Sequence, residues 1–193
     1  MAARRGSAEE TRTALLDAAQ EIMLEDGYAA VTTRRIATRA GVNSALVYYY
    51  FDTMDDLFIE LFRRGADRSL ERLQEALSSP QPLWAFWDLS QDQSRSALTM
   101  EFTALANHRH SIRTEIAESS RRFRKVELEA LSGALERYGV DPQEWPATSV
   151  ILVLSGISRF MLIERAFGLD LGHADTVAII ERHIRALEGE RAG

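Results

Sequence analysis

The side chains with most chemistry to offer lie in one short run, Asn43-Ser44-Ala45-Leu46-Val47-Tyr48-Tyr49-Tyr50-Phe51. On a helix, Val47 and Phe51 share one face and can enter a core. Ala45, Leu46 and Tyr49 then point roughly the other way, with Tyr48 and Tyr50 on the flanks. Three consecutive tyrosines on a helix cannot all face inward, so a plain aromatic core cluster is the weaker account. A helix that exposes a small residue beside phenols needs a partner surface, and the major groove of DNA fits. Ala45 would let the backbone approach base edges, Leu46 can touch a thymine methyl, and hydroxyls can bond phosphate oxygens.

Other chemistries find few residues to carry them. The chain has 193 residues, no cysteine and four histidines. The missing cysteines exclude a disulfide scaffold, a cysteine zinc site and a thiol nucleophile together. His108 and His110 are two apart and would face different sides of a helix, and His173 and His183 have no ligand spacing. There is no HExxH, no EF-hand loop and no glycine-rich phosphate loop. We therefore expect no catalytic residues, no metal and no cofactor. The cluster Arg121-Arg122-Phe123-Arg124-Lys125 is flanked by Glu115, Glu118, Glu127 and Glu129, which makes it a solvated, salt-bridged helix face.

Net charge is −6, which at first argues against a nucleic-acid partner, but distribution matters more than the sum. From Gly27 to Phe51 there are three arginines, Arg34, Arg35 and Arg39, and no acid, while residues 52–193 hold 17 basic and 23 acidic side chains. No signal peptide is visible after the basic Met1-Ala-Ala-Arg-Arg-Gly start. The longest apolar stretch, Val150 to Ile163, is short for a bilayer and contains Arg159. The expectation is a cytoplasmic protein with no membrane partner.

The period is helical nearly throughout. Residues 1–7 carry no pattern and read as a flexible arm. Helices are expected over Glu9–Asp26, stopped by Gly27; from Thr32-Thr33 through Ala40, broken by Gly41; from Asn43 to about Tyr50; and from Met54 to about Ser78, capped by Thr53 with Asp55 and Asp56 in its first turn. Ser78-Ser79-Pro80-Gln81-Pro82 is the clearest break. Beyond it the pattern predicts helices at Leu83–Leu89, about Ser94–Asn107, about Ser111–Tyr138, Ala147–Phe167 and Ala174–Leu187. Two short helices around a glycine turn are the general helix-turn-helix pattern.

The stretch Gly27-Tyr28-Ala29-Ala30-Val31-Thr32-Thr33-Arg34-Arg35-Ile36-Ala37-Thr38-Arg39-Ala40-Gly41-Val42, with Tyr48, Phe51 and Leu57 beyond it, closely resembles the DNA-binding region of TetR-family regulators. The likeness covers about residues 10–60. In that family the start of helix two, all of helix three and the start of helix four touch DNA. By position this implicates Thr33, Arg34, Asn43, Ser44, Ala45, Leu46, Tyr48, Tyr49 and Tyr50, with Thr53 as a further phosphate contact. Two positions depart from the pattern: the family often has lysine at Ser44 and usually at Met54. Each missing lysine removes a phosphate charge and should make the salt dependence of binding shallower. Arg4 and Arg5 on the arm are candidates to compensate.

The resemblance also implies a helical C-terminal domain that dimerises through its last two helices and encloses a ligand pocket. The residues agree in outline. Val150, Ile151, Val153, Leu154, Ile157, Phe160, Met161 and Ile163 make the penultimate helix apolar on nearly every face, as in a helix buried all round. Val177, Ile180, Ile184 and Leu187 form a stripe on the last. A pocket could draw on Trp84, Trp87, Met100, Phe102 and Phe123, with Thr103, Asn107 and Arg113 as polar groups; the same aromatics could equally fill a core. Arg159 and Glu164 read as members of internal salt bridges.

The expected architecture is all-α: an arm at 1–7, a three-helix bundle with the helix-turn-helix at 8–52, and a larger helical ligand-binding and dimerisation domain at 53–193. The expected function is sequence-specific transcriptional regulation by a homodimer on double-stranded operator DNA, as a repressor released by a small apolar effector. The alternative is an α-helical ligand carrier or enzyme using the C-terminal aromatic cavity.

Overall fold

The computed structural model describes residues 2–92 and 96–192. Its helices are α1 (Ala2–Asp26), α2 (Thr33–Arg39), α3 (Ser44–Tyr50), α4 (Met54–Leu77), α5 (Pro82–Ser90), α6 (Ser96–Ala106), α7 (His110–Arg137), α8 (Ala147–Ala166) and α9 (His173–Glu188), with a 3₁₀ turn at Tyr28–Ala30. No strand occurs among the described residues.

α1 starts at Ala2, not at Glu9 as the pattern led us to expect. Ala2-Ala3-Arg4-Arg5 are all good helix formers, and Gly6 alone is too weak a breaker to stop the helix. The predicted start of the sixth helix, Ser94, lies outside the described residues.

The chain divides into two compact units, Met1–Asp67 with Ala97–Ser119, and Arg68–Ser96 with Ser120–Gly193. The divisions fall inside α4, at the start of α6 and inside α7, whereas the sequence placed its division at 52/53. The proline-rich break is only a turn within the second unit. α6 joins the first unit because Phe102, Leu105 and Ala106 enter the same core as Leu15, Ile22, Ile36, Val47, Phe51 and Leu57.

That first core follows the predicted stripes: Leu15, Ala18, Ala19, Ile22 and Met23 of α1 are all buried, as are Ile36 and Ala37 of α2. Thr53 and Asp56 form a reciprocal cap on α4. The Thr53 hydroxyl accepts the Asp56 N–H at 3.1 Å, and Asp56 Oδ2 accepts the Thr53 N–H at 2.9 Å, so two donors at the helix start are satisfied at once.

The second core gathers Leu73, Leu77, Trp84, Phe86, Trp87, Leu131, Leu135, Ile151, Leu154, Met161, Ile180 and Ile184. One carboxylate closes it. Glu188, at the end of α9, accepts the N–H groups of Leu83 and Trp84 at 2.9 and 3.0 Å and the Tyr138 hydroxyl at 2.8 Å. It thereby supplies an acid to the N-terminus of α5, where the chain has only Gln81 as a cap.

α8 departs from its predicted burial. Ile151, Leu154, Ser158 and Met161 are buried, but Leu152, Val153 and Phe160 are exposed. By length and composition alone α8 could cross a membrane. The helix is apolar on more sides than one chain covers.

Candidate nucleic-acid interface

α2 and α3 are short, and each is started by a side chain. Thr32 Oγ1 accepts the Arg35 N–H at 3.4 Å and Asn43 Oδ1 accepts the Ala45 N–H at 2.9 Å. Gly41 takes the left-handed conformation between them, with φ of 69°, which a residue without a Cβ adopts without strain. Asn43 keeps its amide NH2 available to donate.

α3 splits as the helical period requires. Val47 and Phe51 are 2% and 3% exposed, whereas Tyr48 and Tyr49 are 64% and 77% exposed. Asn43, Ser44 and Ala45 are exposed, and Leu46 and Tyr50 are half-buried. The Tyr49 and Tyr50 rings meet edge to face at 5.1 Å. From α2, Arg34 is exposed and Thr33 half-buried. The Thr33 hydroxyl lies 3.4 Å from Tyr48 Oη and 3.6 Å from Met54 Sδ, tying together the starts of α2 and α4 and the middle of α3. Thr53 is exposed, with its hydroxyl engaged in the α4 cap.

The basic window looks different once folded. Arg35 pairs with Asp26, and Arg39 pairs with Glu21 and Glu25. The Arg39 hydrogen bonds hold the Glu25 carboxyl below the usual range. Among the described residues Arg34 forms no ion pair, so it alone of the three keeps its full charge for an outside anion. Sequence counting missed this because the acids come from α1, outside the window counted.

Behind α3, the first turn of α4 is braced by the α6–α7 corner. Asp55 accepts from Arg109 and from the Ser111 hydroxyl, and Arg109 also lies over the Phe58 ring at 5.6 Å. The Ser111 hydrogen bond first, and Arg109 after it, hold Asp55 below the ordinary carboxylate range.

The eight side chains considered for a pocket are divided between the two units. Trp84 and Trp87 lie in the second unit's core with Phe123 against it, and Phe102 lies in the first unit's core. Met100, Thr103, Asn107 and Arg113 are exposed, and Arg113 donates to the Ala106 carbonyl. Two open grooves lie elsewhere in the second unit. One, of about 470 Å³, runs between α8 and the start of α9 along Gly156, Phe160, Glu164, Leu171 and His173. The other, about 260 Å³, lies between Gln74, Leu77 and Ser78 of α4 and its following turn and Val126, Glu129 and Ala130 of α7. Glu164 pairs with the buried His173 at 2.7 Å, a partnership nine residues apart that helical spacing does not announce. Among the described residues no group of three potential metal ligands occurs.

Residues 15–61 match the bacterial regulatory proteins of the tetR family. The N-terminal segment of this chain thus resembles the DNA-binding part of the TetR family. The matched segment holds all ten side chains proposed to meet DNA. Relatives include the fatty acid metabolism regulator protein of Bacillus subtilis, 28% identical over 124 residues, 63% of this chain and 60% of the relative. The transcriptional repressor KstR2 of Rhodococcus jostii is 26% identical over 133 residues, 65% of each chain. The chain thus spans less than two thirds of either relative. Among solved TetR-like folds, the Bacillus subtilis regulator FadR, determined with stearoyl-CoA, superposes with a TM-score of 0.68 at 19% identity, covering 93% of this chain and 99% of that one.

Proposed function

We propose that this chain is a TetR-family, sequence-specific transcriptional regulator in the cytoplasm, a repressor that leaves its operator when an apolar effector binds. The observation that carries the reading is the division of α3. It anchors itself through Val47 and Phe51 and offers Tyr48, Tyr49, Asn43, Ser44 and Ala45 to a partner. Hydroxyls, an amide and a small residue beside one unpaired arginine suit phosphates and base edges. Residues 8–52 are the DNA-reading part, with Thr33, Arg34, Leu46, Tyr50 and Thr53 completing the contact set, and residues 53–193 bind effector and partner.

The partner is a second copy. Leu152, Val153 and Phe160 of α8, Ile179 and Leu187 of α9, and Phe167, Leu169 and Leu171 between them are exposed apolar residues on the last two helices and their loop. A patch of this kind marks an association surface. A two-fold dimer would set two α3 helices on half-sites about 34–36 Å apart. The stearoyl-CoA held by the FadR structure supports an effector with an acyl chain, so that compound is the first probe. An effector shifts operator binding only by its differential affinity for the two states.

Fluorescence anisotropy at fixed salt, on the DNA upstream of the gene and on scrambled DNA, tests the reading, with selection from a random pool as the second arm. A preferred sequence that Tyr49→Ala no longer distinguishes supports it. A protein that selects no sequence from the pool is not a specific DNA-binding regulator.

A further inference from the structure

The orientation of the helix-turn-helix depends on how the chain leaves α1, and that exit is a single tight turn. Gly27 has φ of 81° and ψ of 165°, a region essentially reserved for glycine. The 3₁₀ turn Tyr28–Ala30 follows, and Val31 N–H closes it on the Tyr28 carbonyl at 3.2 Å. Thr32 then caps α2. The N–H groups that open a helical turn have no partner within it. That of Tyr28 is taken by a side chain far away in the chain: Glu101 Oε2, on α6, accepts it at 2.7 Å.

Two further observations fix the contact. A Cβ added at Gly27 would stand 3.4 Å from the same Glu101 oxygen, an ordinary van der Waals contact, so the carboxylate lies close against the turn while the positive φ is what calls for glycine. The Tyr28 ring stacks on His108, just past the end of α6, with centroids 6.3 Å apart. α6 itself is seated in the helix-turn-helix core by Phe102 and Leu105, with Phe102 edge to face on Phe62 at 5.2 Å. Among the described residues no cation pairs with Glu101. Its carboxylate serves the turn.

We propose that Glu101 is a positioning residue for DNA reading: from α6 it holds the α1–α2 turn, and so sets the sequence preference of α3 without itself touching DNA. The proposal rests on the DNA-binding reading above. α6 follows directly in the chain on α5, which belongs to the second unit. Glu101 is therefore a point at which a displacement of α6 would reach the turn that orients α2.

The test compares the full-length wild type with Glu101→Gln and Glu101→Ala. Both variants remove the same negative charge, so the difference between them isolates the hydrogen-bond acceptor. Amide exchange across residues 27–31 is read first, then the ratio of affinities for selected and scrambled DNA at one salt concentration, well below each variant's melting temperature. In Glu101→Ala we expect the Tyr28 amide to exchange at least about tenfold faster and the affinity ratio to fall about tenfold, the size of losing one hydrogen bond. Binding to scrambled DNA should be unchanged, and Glu101→Gln should retain most of the ratio. Unchanged exchange in Glu101→Ala means that the bond is not held, and overturns the proposal. Faster exchange with an intact ratio makes Glu101 merely structural, and also overturns it. A wild type that selects no sequence removes the DNA-binding reading and the proposal with it, while the exchange result still reports separately on the Glu101 bond.

Discussion

The Arg39 guanidinium spans the Glu25 carboxylate, with Nη2 to Oε2 at 2.7 Å and Nη1 to Oε1 at 3.1 Å, and Nη1 reaches Glu21 as well. A paired fork of this kind locks α2 to α1 and neutralises a charge that would otherwise be free to meet an outside anion. Arg35 is paired with Asp26 through a single contact. The positive field of this helix-turn-helix is thus much smaller than its arginine count.

Arg34→Ala and Arg39→Ala should accordingly behave differently. A salt series of operator binding should lose about one unit of slope in Arg34→Ala, the signature of one lost phosphate contact. Arg39→Ala should keep the slope and instead melt at a lower temperature. Equal slopes in wild type and Arg34→Ala would remove Arg34 from the DNA contacts.

Neighbouring positions of α3 should separate reading from folding. Tyr49→Ala, at the exposed position, should change stability by no more than about 0.5 kcal/mol while abolishing operator preference in the anisotropy assay. Val47→Ala, two residues earlier and buried, should cost about 1–3 kcal/mol in urea unfolding. A large stability loss in Tyr49→Ala would mean that its ring belongs to the core.

The apolar outer face of α8 gives a third prediction. Phe160 and Leu152 are 60% and 61% exposed, so Phe160→Glu combined with Leu152→Glu should leave the folded chain intact and turn a dimer into a monomer in sedimentation. The monomer should bind operator far more weakly, because it holds one half-site at a time. Wild-type protein that sediments as a monomer but floats with phospholipid vesicles would assign the face to a membrane instead.

Tyr138 offers a prediction on pH. Burial first, and the hydrogen bond to Glu188 second, push its phenol from 10.0 up to about 12. A folded-state value above the unfolded one means that the contribution is whole below pH 10 and is lost as pH rises through 12. Denaturant unfolding should show stability falling over that window. Tyr138→Phe should lower stability at neutral pH by about 1 kcal/mol and flatten the alkaline fall. An identical alkaline limb in the variant would show that Tyr138 does not govern it.

The helix stops, the α1–α3 stripes and the inward faces of α3 were legible in the sequence by itself. Glycines at 27 and 41, caps at Thr32, Asn43 and Thr53, and apolar residues at helical spacing are local signals, and local hydrogen bonds and burial obey them. The exposed set Asn43, Ser44, Ala45, Tyr48 and Tyr49 follows from the same periodicity. What needed tertiary structure was pairing across long separations. α6 enters the helix-turn-helix core because Phe102 and Leu105 fit against α1 and α4, although by chain order α6 follows the second unit's α5. Glu101 meets Tyr28 across 73 residues, Glu188 meets Leu83 across 105, and α1 acids cancel two arginines of the basic window. Helical periodicity says which face of a helix is apolar. Which apolar face meets which, and which charge is left without a partner, is decided only when the whole chain is packed, because those terms depend on distance in space and not in sequence.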